Sequence, residues 1–390
     1  MHRRQLILAL GALVGTFSRD GNSKLKRHSV TAAPQDDTAR LAFKVSSLVG
    51  PYIPTSQSAR MGGVFARYES DFMKYDEPQW NWCNRATPTL WMNGNCNYYD
   101  RAMIYYVWWQ RTGNPKYLER ANRTALRFRQ EYVEPNGYGV VTHWAMMDGL
   151  ALHYLVTGDQ ASLKAVGQVA DIFAWGVMSP DPNVTKYIDN PAQQDNRIQA
   201  YAIKSILLAY KLHAPSTGTR SGHPGGNDWA AVLRRALNKI LATRDPDGQW
   251  RGARCGTAGR ATHPFTVGLL YDSLIRYYEL FEADPRIPQA IQRSAEVMWQ
   301  QDWLPGAKAF KYVAVPCPGE GGPNPAPDLN NLILNGYAWT YKKTGEPAWG
   351  TRADQIFAGS VIHDSPSTGA KQFNQSYTSS YRYLSWRFAQ

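Results

Sequence analysis

Four titratable side chains lie at or near the amino ends of apolar, aromatic-rich segments: Asp100, His143, Asp148 and Asp195. Two carboxylates beside a bound sugar can cleave a glycosidic bond, because one protonates the leaving oxygen while the other attacks or activates water. Asp148 lies in an almost wholly apolar segment, where a carboxylate is costly unless it is paired, hydrogen-bonded or used. We therefore predict Asp148 and Asp195 as the catalytic pair, with Asp100 as the substitute and His143 as a further candidate.

Each carboxylate also has a structural interpretation. Asp195 and Asp328 directly precede predicted helices, where Asp is a favoured N-cap. Asp100 follows Asn97 by three residues, a spacing close to that of a capping box. Asp148 lies too deep in its predicted helix to be a cap, so its structural alternative is a buried partner for an arginine or a tyrosine hydroxyl.

Aromatic rings stack on the faces of sugars, and Asn, Arg and His side chains hydrogen-bond their hydroxyl and acidic groups. The candidate substrate-binding residues are Trp80, Trp82, Trp91, Tyr98, Trp144, Asn196, Arg197, His263, Asn331 and Tyr377. The first three tryptophans fall in a Pro/Asn/Trp-rich stretch, residues 73–97, which predicts a loop offering a sugar platform.

Some of the same residues also fit β-elimination from a uronate. That reaction needs a group that neutralises the carboxylate, such as Asn196 or Arg197, a His or Tyr base, and a Tyr acid. The segment 251–263 adds three arginines on a glycine-rich stretch that could bind a carboxylate or sulfate, or simply be solvated. A polysaccharide lyase is therefore the alternative enzyme, and a non-catalytic glycan-binding protein is the second alternative.

The elements that would position these residues follow a repeating plan. Residues 142–159 predict one buried helix that begins at Thr142, places Trp144 and Asp148 on one stripe, and stops at Gly158. Similar aromatic-rich helices end at Thr-Gly turns at residues 112–113 and 344–345, and Asn, Asp or Glu then opens an amphipathic helix. Six such pairs at a period of roughly 45–60 residues predict a solenoid or a closed ring, and the contrast between the two helix classes favours a ring.

This architecture resembles the (α/α)6 toroid, or six-hairpin, carbohydrate-active enzymes over roughly residues 38–390. The resemblance implies an all-α fold, a substrate groove at one mouth of the ring, and a glycoside hydrolase, polysaccharide lyase or sugar epimerase. The unsaturated-uronide hydrolases of this fold are nearest in style. Residues 37–390 are therefore expected to form a single catalytic domain that cleaves a polysaccharide, with hydrolysis by paired aspartates preferred.

Composition and the amino-terminal sequence indicate the kind of partner and the cellular compartment. The net charge of +12 suits a polyanionic partner such as an acidic polysaccharide, whereas scattered basic residues without a nucleic-acid motif disfavour DNA or RNA. His2–Arg4 followed by the apolar run Leu6–Val14 predicts an export signal, so residues 1–36 are assigned to a signal peptide and linker in a secreted or periplasmic monomer without a later membrane span.

Four cysteines in an exported chain suggest two disulfides. Cys83 with Cys96 would close a short loop, and Cys255 with Cys317 follows by elimination. No ligand spacing asks for a metal or an organic cofactor.

Overall fold

The computed structural model describes residues 34–388, apart from 219–224, 253–254, 256–258, 320, 364–365 and 367. The predicted export signal and most of the predicted linker lie outside the described residues. The helices, in chain order, are α1 Pro34–Val49, α2 Thr55–Arg60, α3 Gly63–Arg85, α4 Pro88–Asn93, α5 Arg101–Thr112, α6 Pro115–Phe128, α7 Asp148–Thr157, α8 Gln160–Met178, α9 Pro182–Asp189, α10 Asn196–Leu212, α11 Trp229–Ala242, α12 Pro264–Leu280, α13 Arg286–Asp302, α14 Asn330–Thr344, α15 Pro347–His363, α16 Ala370–Tyr377 and α17 Ser380–Phe388. Two short strands, β1 Trp303–Leu304 and β2 Ala309–Phe310, pair antiparallel.

Six helices form the inner ring: α5, α7, α10, α12, α14 and α17. Successive members pack against one another, and α16 contacts both α17 and α5, which closes the circle. All but two of the twelve residues of α5 are buried, whereas α6 buries only the face that packs on the ring. The predicted all-α ring of helical hairpins is confirmed.

The Thr-Gly turns end three inner helices by one mechanism. Gly113, Gly158 and Gly345 each adopt a positive φ at the helix C-cap, at 71°, 77° and 71°. The threonine before each glycine accepts a hydrogen bond from the backbone N–H two residues later, which turns the chain into the following outer helix. The repeated sequence signal is therefore a repeated cap.

The predicted helix over 142–158 is wrong at its amino end. Residues Thr142–Trp144 form a separate 3-10 turn, Ala145 breaks the helical path with ψ of 70°, and α7 begins only at Asp148. A Cβ on Gly149 would lie 2.5 Å from the Cβ of Ala102, so α7 begins where it packs most closely on α5. Trp144 and Asp148 consequently do not share a helical stripe.

The predicted tryptophan loop is also wrong. Helix α3 continues through Pro78 to Arg85, so Trp80 and Trp82 are helical, and Trp91 lies on α4 with 2% of its surface exposed. Arg127 of α6 stacks on Trp91 and donates to the Cys83 carbonyl at 2.7 Å, which satisfies a carbonyl near the end of α3. Both predicted disulfides, Cys83 to Cys96 and Cys255 to Cys317, are confirmed.

Helix α1 covers the end of the ring where the inner helices stop. Lys44 donates to the carbonyl of Leu155 near the end of α7, at 3.2 Å. At the carboxyl end of α1, Arg276 donates to the Leu48 carbonyl at 3.2 Å, and the Val49 carbonyl accepts from side chains of α17. These carbonyls have no partner within their own helix, so the ring interior supplies one. In the described residues, no helix combines the length and the apolar content needed to cross a bilayer.

Candidate active site

The amino ends of the inner helices meet at one mouth. Arg197, in the first turn of α10, donates to the Tyr98 hydroxyl before α5 at 2.9 Å. Asn374 of α16 donates to the Tyr98 carbonyl at 2.6 Å, and Gln375 donates to a carboxylate oxygen of Asp328, before α14, at 2.9 Å. The predicted common mouth is therefore present in the structure.

Asp100 is the carboxyl group held in the most constrained setting at this mouth. Both Tyr99 and Asp100 have a φ of 62°, a conformation that non-glycine residues rarely adopt and that concentrates at functional sites. The backbone places one carboxyl oxygen of Asp100 3.2 Å from the Met103 N–H and the other 3.0 Å from the Gly149 N–H. The side chain thus caps α5 and also holds the start of α7, and only 1% of the residue is exposed.

Asp148 lies beside Asp100 but in the opposite electrostatic setting. It is fully buried, and its two oxygens form ion pairs with Arg276 of α12 at 2.6 Å and with Lys204 of α10 at 3.0 Å. The structural alternative for Asp148, a buried partner of an arginine, is therefore what its contacts show. The same interior continues toward α1 through Arg382, which pairs with Asp272 at 3.0 Å.

The two neighbouring carboxyl groups have pKa values displaced in opposite directions. Burial and the negative charge of Asp148 raise the pKa of Asp100 to about 7, against the opposing effects of Lys204 and the two backbone N–H groups. Burial alone would raise the pKa of Asp148, but Arg276 and Lys204 outweigh it and hold this pKa well below its usual range. Acid and base roles in active sites are commonly divided between carboxyl groups separated in this way.

A layer of aromatic rings lies over these acids. The Tyr98 ring meets Tyr99 and Trp144 edge to face, with centroids 4.6 and 5.1 Å apart. Burial raises the pKa of Tyr201 well above its usual value, and Tyr98, Tyr99 and Asp100 raise it further. Tyr201 of α10 is buried and lies within electrostatic range of all three groups.

Two cations face this layer. Arg197 contacts Tyr98, and the Lys371 ammonium lies 5.8 Å from the centre of the same ring. Across the part of the chain that the structure describes, neither side chain forms an ion pair with a carboxylate. Burial lowers the pKa of Lys371, as expected of a cation partly removed from water. Asp195 acts electrostatically on Arg197, and Asp328 acts on Lys371. An anionic group entering the mouth would lie near both cations.

Asp195 caps α10. Its carboxylate accepts from the backbone N–H groups of Arg197 at 2.9 Å and Ile198 at 3.3 Å, and 9% of the residue is exposed. The structure places its carboxylate at the first turn of α10, beside Arg197. The structure brings Asp100 close to Asp148, since Asp100 accepts from the N–H of Gly149, the residue after Asp148, and the catalytic pairing of Asp148 with Asp195 stays a prediction.

The cap role of Asp195 makes a prediction. Asp195→Ala should lower the free energy of unfolding by about 1 kcal/mol, because two backbone donors lose their acceptor. Asp195→Asn should preserve the cap and lose little stability. Urea denaturation of both variants measures the difference, and a loss of activity by orders of magnitude in a stable Asp195→Asn variant would instead assign Asp195 to the chemistry.

The other predicted site residues divide between the mouth and the core. His143 lies half-buried on the turn beside Trp144, and His263 is the N-cap residue of α12 with its ring 6.4 Å from that of Tyr312. Asn196 and Asn331 stand at the starts of α10 and α14, where their amides are buried and donate to Gln199 and to the Ser376 carbonyl.

Four predicted aromatic residues lie elsewhere. Tyr377 is packed against Trp108 and donates to the Tyr68 carbonyl, which places it in the core. Trp80 contacts Tyr105 and Arg120, and Trp91 is buried, so neither presents a free ring face at the mouth. Trp82 remains 46% exposed.

One cluster has the composition of a metal site. Ligand atoms of Cys255, His263 and Cys317 lie within 4.8 Å of one another. The two sulfurs are joined in a disulfide and are not thiolates, so this set does not fit a metal ion in the present form. Two of the three arginines of the glycine-rich stretch, Arg251 and Arg260, pair with Asp245, and Arg254 lies outside the described residues.

Sequence reasoning missed several residues of the mouth and interior: Tyr99, Tyr201, Lys204, Arg276 and Lys371. Lys204 and Arg276 could have been recognised from the sequence. Each is a charged residue within an apolar inner helix, and a buried charge needs a partner of opposite charge, as Asp148 does. The positive φ at Tyr99 has no signature in the sequence.

No protein-family model matches this sequence, and no curated protein matches it. Solved structures do. An unsaturated glucuronyl hydrolase from Bacillus sp. GL1, described as responsible for glycosaminoglycan degradation, matches at a TM-score of 0.50 with 14% identity, covering 76% of this chain and 86% of that one. The unsaturated glucuronyl hydrolase of Streptococcus agalactiae matches at a TM-score of 0.52 with 10% identity, covering 82% of each chain. At these identities the likeness is one of fold, and it confirms that the chain is an α/α toroid of the kind found in these glycoside hydrolases.

Proposed function

We propose that this protein is a glycoside hydrolase that acts on an acidic saccharide, with Asp100 as its proton donor. The observation that carries the proposal is the placement of Asp100. It is a carboxyl group in a strained backbone at the mouth of the toroid, with a pKa raised to about 7 by burial and by Asp148. Such a group is protonated near neutral pH, as a general acid must be.

Hydrolysis at this site needs only one proton donor, because the proton that Asp100 gives to the sugar is replaced by one from water. Asp100 gives its proton to the glycosidic oxygen as the bond to the anomeric carbon breaks, and water adds to that carbon. The proton lost by the water returns to the Asp100 carboxylate, which restores the starting state. Asp148 has both oxygens in ion pairs beneath Asp100, so it acts on the acid rather than on the substrate.

The two cations support an acidic substrate. Arg197 and Lys371 flank Tyr98 and, among the described residues, form no ion pair with a carboxylate, although Asp195 and Asp328 act on them from farther away. This arrangement suits the carboxylate of a uronic acid or a sulfate group. The structural neighbours carry the name unsaturated glucuronyl hydrolase, which is consistent with this substrate class. Trp144, which is half-buried at the mouth, supplies a ring against which the sugar face can stack.

One contact favours a second candidate function, elimination by a polysaccharide lyase. The Tyr98 hydroxyl accepts a hydrogen bond from Arg197, and a tyrosine held by an arginine is the arrangement required of a base beside a neutralised carboxylate. Asp100 has no role in that mechanism.

A panel of saccharides separates the possibilities. The protein is incubated with neutral polysaccharides, intact uronic polysaccharides, and unsaturated oligosaccharides prepared from them with a lyase, while reducing ends and the absorbance of the unsaturated bond are followed. Reducing ends without a gain in absorbance, or a loss of absorbance from the unsaturated oligosaccharides, support hydrolysis. A gain in absorbance supports elimination, and binding without cleavage supports a glycan-binding protein.

The cation assignment makes its own prediction. Arg197→Met should raise KM for the acidic substrate by about 10- to 100-fold, since a charge-assisted hydrogen bond is lost, and should alter kcat less. Lys371→Met should act in the same direction. The matched control is Arg293→Met, a surface arginine that donates to the Asp247 carbonyl outside the mouth and should leave KM unchanged. Unchanged KM in both mouth variants would rule out this carboxylate site.

We also propose that the chain is exported and acts as a monomer. The basic residues and apolar run at its amino terminus and its two disulfides support export to an oxidising compartment. Cell fractionation with amino-terminal sequencing tests export, and sedimentation equilibrium tests the oligomeric state.

A further inference from the structure

Next to Asp100 the ring interior holds a set of paired charges from three inner helices. The Asp148 carboxylate receives Lys204 at 3.0 Å and Arg276 at 2.6 Å, and all three come from different inner helices. Asp148 and Arg276 are buried, and the Lys204 side chain is 12% exposed. Charges in such a setting are poorly screened by solvent, so they act strongly on neighbouring groups.

Asp100 lies next to these charges, because one of its carboxyl oxygens accepts from the N–H of Gly149, the residue after Asp148, at 3.0 Å. Lys204 acts on it from α10 and Asp148 from α7, while the uncharged hydroxyls of Tyr201 and Tyr106 face it from α10 and from its own helix. A positive charge favours the carboxylate form of Asp100 and a negative charge favours the protonated form. Lys204 and Asp148 therefore act on the protonation of Asp100 in opposite directions. The net effect depends on both residues.

We propose that Lys204 and Asp148 are positioning residues of this enzyme, and that their buried ion pair sets the pH range over which Asp100 carries the proton used in catalysis. This inference rests on the proposed function of Asp100. Arg276 anchors the pair from the opposite side and keeps Asp148 ionised.

The test uses two substitutions that should move the alkaline limb of the pH profile of kcat/KM in opposite directions. Lys204→Met keeps most of the side-chain stem but removes the positive charge, so the alkaline limb of the pH profile of kcat/KM should move up by about one pH unit. Asp148→Asn removes the negative charge, so that limb should move down by a similar amount. Lys204→Arg keeps the charge and serves as the control, with a limb close to that of the natural protein.

A second measurement does not depend on turnover. The protein is labelled with ¹³C at aspartate carboxyl carbons, the Asp100 signal is assigned by its absence in Asp100→Asn, and its chemical shift is titrated in each folded variant. Opposite displacements in Lys204→Met and Asp148→Asn support the inference even if no saccharide in the panel is cleaved. Equal titration of Asp100 in the natural protein and Lys204→Met, or displacement of both variants in one direction, overturns it. If Asp148→Asn does not fold, the comparison of Lys204→Met with Lys204→Arg decides alone.

Discussion

Replacing Asp100 with asparagine should reduce kcat on the cleaved saccharide by about a thousandfold, within the range lost when a general acid is removed. Asparagine is among the residues that best tolerate the positive φ at this position. The variant should therefore retain the fold and substrate binding, and steady-state kinetics with calorimetric binding measurements would separate the two effects.

The same substitution has a pH-dependent effect on stability with a definite sign. The folded-state pKa of Asp100, about 7, lies above the ordinary value of about 3.9. As pH rises from 4 to 7 the unfolded chain loses this proton first, so the natural protein loses stability over that window. Asn cannot ionise, so the free energy of unfolding of Asp100→Asn should rise relative to that of the natural protein between pH 4 and pH 8. Urea denaturation at the two pH values measures this difference.

The control for Asp100→Asn is Asp228→Asn. Asp228 caps the outer helix α11 by accepting from the N–H groups of Ala230 and Ala231, so the chemical change and the position at a helix start are matched. Its activity should be unchanged. Full activity of Asp100→Asn on every cleaved substrate would remove Asp100 from the mechanism.

Arg276→Met should produce the largest loss of stability among the single substitutions considered. The change removes one of the two cations paired with the buried Asp148 and the donor to the Leu48 carbonyl. Breaking a buried ion pair by removing one partner costs about 3–5 kcal/mol, because the remaining charge is left uncompensated. Urea denaturation should show a lower midpoint with a similar slope.

Arg234→Met is the matched control for this effect. Arg234 pairs with Glu282 at 2.9 Å, but both side chains are about half exposed, and such pairs contribute little. Its unfolding midpoint should match that of the natural protein. A loss of less than about 1 kcal/mol in Arg276→Met would mean that Lys204 alone is a sufficient partner for Asp148.

Local signals predicted the ring. The Thr-Gly turns and the contrast between aromatic inner and amphipathic outer helices depend on neighbouring residues, so they could be recognised along the chain. The cap role of Asp195 was equally local. The alternative interpretation of Asp148 as a buried partner was also available, although only the structure identifies Arg276 and Lys204 as its partners.

The two wrong predictions, the start of the helix at Thr142 and the tryptophan loop, concern segments where tertiary packing overrides the local sequence pattern. Residues 142–147 have an apolar helical pattern, yet Trp144 leaves the helix to pack on Tyr98, and α7 starts where Gly149 permits close contact with α5. The tryptophan stretch contains Pro78, which indicated a loop, but the helix continues through it. Neither outcome is visible without the partner helices.

The docking of α1 bears on how a saccharide chain can move. The carboxyl end of this helix delivers the Leu48 and Val49 carbonyls into the ring, where Arg276 and Arg382 bind them. The end of the ring opposite the mouth is therefore covered by α1. If the protein cleaves a saccharide at the mouth, as proposed, the chain cannot leave through the end that α1 covers, so substrate would enter and product would leave by the same opening.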